Sequence, residues 1–319
     1  MNVFVTGGSG FVGRNLIRML VAGGDNVRAL VRSDRAEAVV RAAGAEPVSG
    51  DLAEIEVMRA GMRGCGAVVH SAAVMAFFGR CKEMETVNIH GTRCVIEAAK
   101  AVGIPRLVFI SAAAVVSDGH PVIQADESRP YPPRVFGTYC RTKAEAEKLV
   151  LGANSTGFSA VAVRPPCIWG VGDATFLPTV VAAVKRRQFI WIDRGNYSYA
   201  TCHVRNVCEG AILAIRHGRA GQAYFLTDGD PPVTFRQFLT GLLATQGVKP
   251  GSVSLPRWLA WRMAAVLEGM PFSWAPPITR AHLALIGGEV TVGDSKARRE
   301  LGYRGHVSRE KGLEELAAG

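Results

Sequence analysis

Thr6-Gly7-Gly8-Ser9-Gly10-Phe11-Val12-Gly13 follows an apolar, β-branched run at residues 2–5 and leads into a helical pattern over 11–22. A strand, a glycine turn and a helix in that order form a seat for a pyrophosphate. Gly7 permits the tight turn, Gly10 lets the backbone approach the ligand, and Gly13 lets the helix pack on the strand. The first helical N–H groups have no intrahelical partner, and together with the helix dipole they favour an anion. Phe11 and Val12 lie between the last two glycines and are counted with Gly7, Gly10 and Gly13 as dinucleotide-binding residues. Glycine alone makes ordinary turns, so the strand before and the helix after carry the reading.

Moving outward, β-branched runs recur at 27–32, 67–70, 107–111 and 160–164, with helical patterns near 34–43, 53–63, 83–102 and 134–152. Continuous apolar strands alternating with amphipathic helices predict an α/β fold, a doubly wound parallel sheet covered on both faces. The rhythm changes after Arg164-Pro165-Pro166. Residues 1–165 are expected to form the dinucleotide-binding domain, with 200–228 returning to it through Gln222-Ala223-Tyr224-Phe225-Leu226-Thr227. Residues 166–199 and 229–319 are expected to form a smaller substrate lobe over the carboxyl ends of the strands, where open α/β sheets bind ligands.

The 319 residues are 48% apolar and include 36 glycines, which suits a folded α/β protein and excludes disorder as the main state. A net charge of +10 reflects an Arg-rich solvated surface or an attraction for an anionic ligand, with an anionic membrane surface as second choice. No basic run with interleaved aromatics resembles a nucleic-acid module, so no nucleic-acid partner is expected. The seven cysteines include no C-x-x-C pair and have no histidines at ligand spacing, which implies free thiols in a reducing compartment and no metal. No leader-like start and no apolar window of about 18 residues is found, so a cytoplasmic protein is expected.

Tyr139-Cys140-Arg141-Thr142-Lys143 places a phenol and an ammonium at i and i+4, on one face of the helix expected there. A phenol ordinarily titrates near pH ~10. A neighbouring ammonium favours the phenolate and eases proton exchange with a substrate oxygen. Tyr139 and Lys143 are therefore the candidate catalytic pair.

G-x-x-G-x-x-G with a downstream Tyr-x-x-x-Lys resembles the short-chain dehydrogenase/reductase superfamily, and the length and C-terminal lobe resemble its extended branch. The resemblance implies a Rossmann domain in which Lys143 also binds the nicotinamide ribose. Gly50-Asp51-Leu52 matches the segment whose Asp contacts adenine, and Asp51 could equally cap a helix. His70-Ser71-Ala72-Ala73 is similar to the small-residue stretch that lies against the cofactor, and Asn88 matches a residue that fixes local backbone near the site. Arg164-Pro165-Pro166-Cys167-Ile168 resembles the segment covering the nicotinamide, which brings in Pro165 and Ile168. At the end of the second strand, Val31 stands where an acid would bind the ribose of NAD, while Arg32 and Arg35 suit the 2′-phosphate of NADP. NADP(H) is the expected cofactor and NAD(H) the alternative.

Two departures from the family pattern bear on chemistry. In Phe109-Ile110-Ser111-Ala112-Ala113 the register places Ala113 where a Ser or Thr hydroxyl is expected, and Ser111 where a residue contacts the cofactor by its backbone. Loss of one hydrogen bond to a developing oxyanion lowers a rate ~10²–10³-fold, unless Ser111, Ser117 or a water substitutes. Cys167 stands where sugar-nucleotide members carry Asn, which favours a less polar substrate. His203-Val204-Arg205-Asn206-Val207 has Arg205 in place of the family's acid, and His203 reads as structural.

The stretch from Leu255 to Leu267, with Trp258, Trp261, Arg257 and Arg262, is amphipathic. It could pack on the core, line an apolar pocket, or rest at a membrane interface. Phe77 and Phe78 would add apolar surface near the site. Within the extended branch these features are most similar to the 3β-hydroxysteroid dehydrogenase-like group, which includes sterol dehydrogenases and reductases of long-chain 2-alkyl-3-oxo acids. The expectation is an NADP(H)-dependent oxidoreductase interconverting 3-oxo and 3-hydroxy groups on a steroid-like or long-chain substrate. The rivals are an NAD-dependent nucleotide-sugar epimerase or dehydratase, and an NADP-binding sensor without turnover. A homodimer is expected by analogy alone.

Overall fold

In the computed structural model the residues described are 1–76, 79–270, 276 and 278–318. Phe77 and Phe78 lie outside them. Seven parallel strands form the central sheet. Five come from the first part of the chain: β1 (Asn2–Thr6), β2 (Asn26–Val31), β3 (Glu46–Ser49), β4 (Ala67–His70) and β5 (Arg106–Ile110). Introducing β6 (Val122–Ala125) and β7 (Ser159–Arg164), the sheet order is Ala223–Phe225, β7, β5, β4, β1, β2, β3. The order reverses beside β1, so the crevice over the carboxyl ends of β1 and β4 is where such a sheet takes a ligand.

Strand alternation divides the core in two. Val3 and Val5 of β1 point to one face, with Leu16, Ile17 and Leu20 of α1 (Phe11–Ala22) and Val207 and Ala211 of the helix Val204–His217. Phe4 points to the other, against Met58 and Met62 of α3 (Ile55–Met62). On that face lie also Val95 and Ala98 of α5 (Gly91–Ala101) and Ala146 and Val150 of α6 (Thr138–Gly152). Both faces are dry, which explains why the strands read as apolar runs. The segment 34–43 forms α2 (Asp34–Ala42), capped by the Ser33 hydroxyl accepting from Ala36 N.

Three local readings are corrected. The helix near 83–102 is interrupted: α4 (Cys81–Met84) passes into a π-helical turn, Glu85–His90, before α5. The helix near 134–152 begins only at Thr138, because Gly137 has φ +80°, outside any right-handed helix. A strand unmarked in the sequence, β6, pairs with Val290–Val292, whose neighbour in turn is Ser198–Tyr199. Its partner lies far along the chain, so no local pattern announces it.

The smaller sheet runs Val233–Thr234, Ser198–Tyr199, Val290–Val292, β6. A separate apolar cluster of Trp169, Trp191, Phe235, Phe238 and Leu242 packs around it. Among the described residues, no helix is long and apolar enough to cross a membrane.

Candidate active site

The glycine turn is shaped by close approach. Gly7 has φ +71°, and a Cβ there would lie 2.6 Å from Ala72 N; a Cβ on Gly13 would lie 2.1 Å from Gly7 O. Both distances are far inside van der Waals contact, so only glycine brings α1 this near β1 and β4. Gly10 caps α1 with no side-chain bond, and the first turn of the helix holds no acid. The helix start is therefore an unblocked donor surface suited to a pyrophosphate. Ser71 and Ala72 are half-buried beside it, Ala73 is exposed, and Ser71 N donates to Thr6 O. Phe11 and Val12 pack partly on the core. Arg14 donates from Nη2 to Gly172 O and so ties α1 to the segment after Pro165 and Ile168.

At the end of β2, Arg32 and Arg35 are both exposed. Asp51 Oδ1 accepts from Ala53 N at 3.1 Å, so this carboxylate holds its own turn, with Leu52 against Gly91.

Lys143 is 3% exposed, and its Nζ donates to Ile110 O, at the end of β5, at 2.6 Å. The ammonium stands 4.0 Å from the centroid of the Phe109 ring. Burial pushes its pKa down to about 7, opposed by the carboxylate of Glu147 one turn further along α6. Tyr139, one turn earlier, is half-buried, and burial raises its phenol above the ordinary value. The phenol therefore keeps its proton at neutral pH, in the form that can donate to a carbonyl oxygen.

Next to the Ile110 carbonyl is Ser111. It is 4% exposed, and its Oγ has no partner among the described residues. Ala113, where the register placed a missing hydroxyl, packs instead with Val115, Ala144 and Phe225 in an apolar cluster. The turn Ala113–Val116 is 3₁₀, so a strand's alternation does not continue past Ser111 and Ala113 faces the core. Ser117 Oγ is engaged by Gly119 N.

A directed chain of hydrogen bonds links the glycine turn to α6. Thr6 Oγ1 contacts His70 Nδ1 at 2.6 Å, and His70 Nε2 contacts Thr92 Oγ1 at 2.9 Å. Thr92 in turn donates to Asn88 O at 2.6 Å. With its proton so used, Thr92 accepts from His70 Nε2–H, which leaves Nδ1 to accept from Thr6. Burial, with the Lys143 charge second, lowers the His70 pKa to about 3, so the ring is neutral as this tautomer requires. The Asn88 side chain clamps both Val74 N and Val74 O and donates to Thr142 Oγ1 on α6 at 3.0 Å.

Behind Lys143 the buried pair Arg164 and Glu147 joins the half-buried Tyr131 in a triad that no sequence motif marks. Arg164 donates to both oxygens of Glu147, and Tyr131 Oη donates to Glu147 Oε1 at 2.5 Å. On the other side, the Asp228 carboxylate gathers Trp169 Nε1, Thr201 Oγ1, His203 N and Asn206 Nδ2. His203 is the N-cap of the helix Val204–His217, and burial holds its pKa near 4. It is thus a structural residue. Cys167 has its thiol raised by burial and remains neutral.

Residues 4–257 match the model of the 3-beta hydroxysteroid dehydrogenase/isomerase family. A ketoreductase from Stigmatella aurantiaca, acting on 4-hydroxy-2-methyl-3-oxo-4-farnesyl-3,4-dihydroquinoline-1-oxide, is 47% identical over 99% of this chain and 96% of its own. The 2-alkyl-3-oxoalkanoate reductase of Stenotrophomonas maltophilia is 33% identical over 100% of this chain and 99% of its own. Among solved structures, a dTDP-glucose 4,6-dehydratase double mutant from Streptomyces venezuelae with NAD bound superposes with a TM-score of 0.79. It covers 100% of this chain and 96% of that one at 23% identity, a likeness of fold. By this match over most of its length and by these relatives, the chain belongs to the 3-beta hydroxysteroid dehydrogenase/isomerase family of extended short-chain dehydrogenases/reductases, and is an NAD(P)-dependent oxidoreductase.

Proposed function

We propose that the protein interconverts a 3-oxo and a 3-hydroxy group on a hydrophobic, long-chain or polycyclic substrate, with NADP(H) as its cofactor. The observation that carries the reading is the end of β5, where Lys143 is fixed on the Ile110 carbonyl beside the unpartnered hydroxyl of Ser111. When bound, the nicotinamide supplies or accepts hydride at the substrate carbon. Tyr139 donates the proton to the carbonyl oxygen and takes it back in oxidation. Ser111 holds that oxygen, and Lys143 sets the acidity of the phenol and binds the nicotinamide ribose. Gly7, Gly10 and Gly13 receive the pyrophosphate, Asp51 the adenosine end, Ser71 and Ala72 lie against the cofactor, and Pro165 and Ile168 cover the nicotinamide.

NADP(H) is favoured by Arg32 and Arg35 just past the end of β2, with Val31 at the position where an acid would accept from a ribose 2′-hydroxyl. The hydrophobic substrate is favoured by the neutral Cys167 and by the two relatives, whose names both carry a 3-oxo group on an apolar framework. Segments 166–199 and 229–319 form the lobe that receives it. Pairing of two copies through helices of the main domain completes the reading, by analogy.

The test is cofactor oxidation with a panel of 2-alkyl-3-oxoalkanoates, 3-oxosteroids and nucleotide sugars, each with NADPH and NADH. Turnover of an apolar 3-oxo compound with NADPH preferred is expected. Turnover restricted to nucleotide sugars overturns the substrate class, and equal use of NADH overturns the cofactor preference.

A further inference from the structure

Five polar side chains are buried as one connected set: Thr6, His70, Thr92 and Thr142 are 0% exposed and Asn88 is 2% exposed. They join the end of β1, the end of β4, the π-helical turn with the start of α5, and α6. Ala72 N donates to Thr6 Oγ1 at 3.4 Å, Thr6 donates to His70, and His70 donates to Thr92. Thr92 donates to Asn88 O, and Asn88 Nδ2 donates to Thr142. The last hydroxyl, Thr142 Oγ1, donates to Tyr139 O at 3.0 Å. The three threonine hydroxyls thus each accept once and donate once, so the bonds all run in one direction.

Both ends of the set bear on the candidate site. Thr6 directly precedes Gly7, and Ala72 is the residue that a side chain on Gly7 would strike. At the other end is Tyr139, the candidate proton donor. A second contact leads toward Lys143. The His70 ring packs on Phe109 with centroids 5.4 Å apart, and Lys143 Nζ stands over that same Phe109 ring. His70 therefore joins the glycine turn to the surroundings of both members of the candidate pair.

Packing alone does not call for these groups. Valine has the shape of threonine, and an apolar set of matching shape is nearly as stable as a hydrogen-bonded one. What a fully satisfied buried polar network adds is one rigid arrangement, which is the kind of path that couples distant sites. We propose that His70 and Thr92 are positioning residues that transmit occupancy of the glycine turn by a dinucleotide to Tyr139. A pyrophosphate drawn onto the start of α1 orders Gly7 and its neighbour Ala72, and the Ala72 N–H then fixes Thr6. The donors behind Thr6 hold the π-helical turn Glu85–His90 and, through Thr142, the first turn of α6. A ligand that orders one end binds more weakly once the other end is cut loose, and by linkage the reverse holds. This deepens the dinucleotide reading, on which it rests, by tying cofactor binding to the placement of the phenol.

The test compares wild type with Thr92→Val, which keeps the shape and removes the hydroxyl, and with Thr92→Ser, which keeps the hydroxyl and removes a methyl. NADPH affinity is read by fluorescence titration. Amide hydrogen exchange of the turn Glu85–His90 is followed with and without saturating NADPH, a readout that needs no turnover. Thr92→Val is expected to bind NADPH about fivefold more weakly and to lose the slowing of exchange that NADPH produces in wild type. Its single-turnover rate at saturating NADPH should be lower by about tenfold, because the phenol is less well placed. Thr92→Ser should stay within about twofold of wild type in all three. A purely structural Thr92 predicts the opposite order, since valine fills the site and serine leaves a gap. Affinity, exchange or rate unchanged in Thr92→Val, or equal losses in Thr92→Ser, overturns the proposal. So does a wild type that binds NADPH without slower exchange at Glu85–His90. If wild type binds neither NADPH nor NADH, the dinucleotide reading fails and the relay falls with it. If affinity and exchange behave as expected but no 3-oxo substrate is reduced, the substrate reading fails and the relay stands.

Discussion

Ser111 and Ala113 are two positions apart on one loop and have opposite surroundings. The Ser111 hydroxyl is buried and unpartnered beside the Lys143 anchor, whereas Ala113 faces Val115, Ala144 and Phe225. Removing the hydroxyl in Ser111→Ala should lower kcat about 10²-fold while leaving the unfolding midpoint close to wild type. Adding one in Ala113→Ser should leave kcat near wild type and cost about 1–3 kcal/mol, because the new hydroxyl meets an apolar cluster. A faster Ala113→Ser enzyme would return the oxyanion site to position 113. Lys143 makes a second residue-scale prediction. Its pKa is depressed to about 7 in the fold, so between that pH and its ordinary value near pH ~10 the unfolded chain binds a proton that the folded chain does not. Stability contributed by this residue therefore rises with pH through that window. Urea midpoints across it should climb in wild type and climb less in Lys143→Met; parallel curves would contradict the assignment.

Two elements hold the candidate pair in place. The first is α6, secured from behind by Glu147 and Arg164, side chains with 0% and 5% exposure. Glu147→Gln leaves the guanidinium without its counter-charge and should destabilise by about 3–5 kcal/mol in chemical denaturation. A loss under about 1 kcal/mol would show that Tyr131 alone suffices for Arg164. The second is the π-helical turn Glu85–His90, which brings Asn88 to Val74 and Thr142 while its carbonyl meets Thr92. Such turns recur at functional sites because one extra residue re-aims a side chain. What could be read in the sequence follows contact range. The order of strand, glycine turn and helix over 2–22 is a local pattern, and Tyr139 and Lys143 are neighbours on one helix, so both ends of the candidate site are visible as motifs. The connections between them are not. His70 meets Thr6 and Thr92, and Glu147 meets Arg164, only after the sheet assembles. The start of α6 is hidden because Gly137 acts through its φ angle, and β6 is hidden because its partner is Val290–Val292.

Among the described residues, the buried His70 and His203 and the half-buried His282 are held neutral, with pKa values near 3, near 4 and near 4, in each case chiefly by burial. Protons that the unfolded chain binds below its ordinary histidine value near pH ~6.5 are not bound in the fold, so stability falls as pH drops from there toward 3–4. Urea midpoints should decline through that range, and His203→Gln should lose part of the slope. A slope identical in that variant would remove His203 from the account. Polar connections also tie segments far apart in the chain, since Asp228 gathers Trp169, Thr201, His203 and Asn206 and Arg14 joins α1 to Gly172. The strand order places the ligand crevice over the carboxyl ends of β1 and β4. The central claim is that this crevice delivers a proton from Tyr139 to a substrate oxygen opposite a bound dinucleotide. The most direct measurement is single-turnover reduction of a 3-oxo substrate by Tyr139→Phe preloaded with NADPH. The account predicts cofactor affinity like that of wild type and a rate lower by about 10²–10⁴-fold. A wild-type rate in that variant, with cofactor bound, would contradict it.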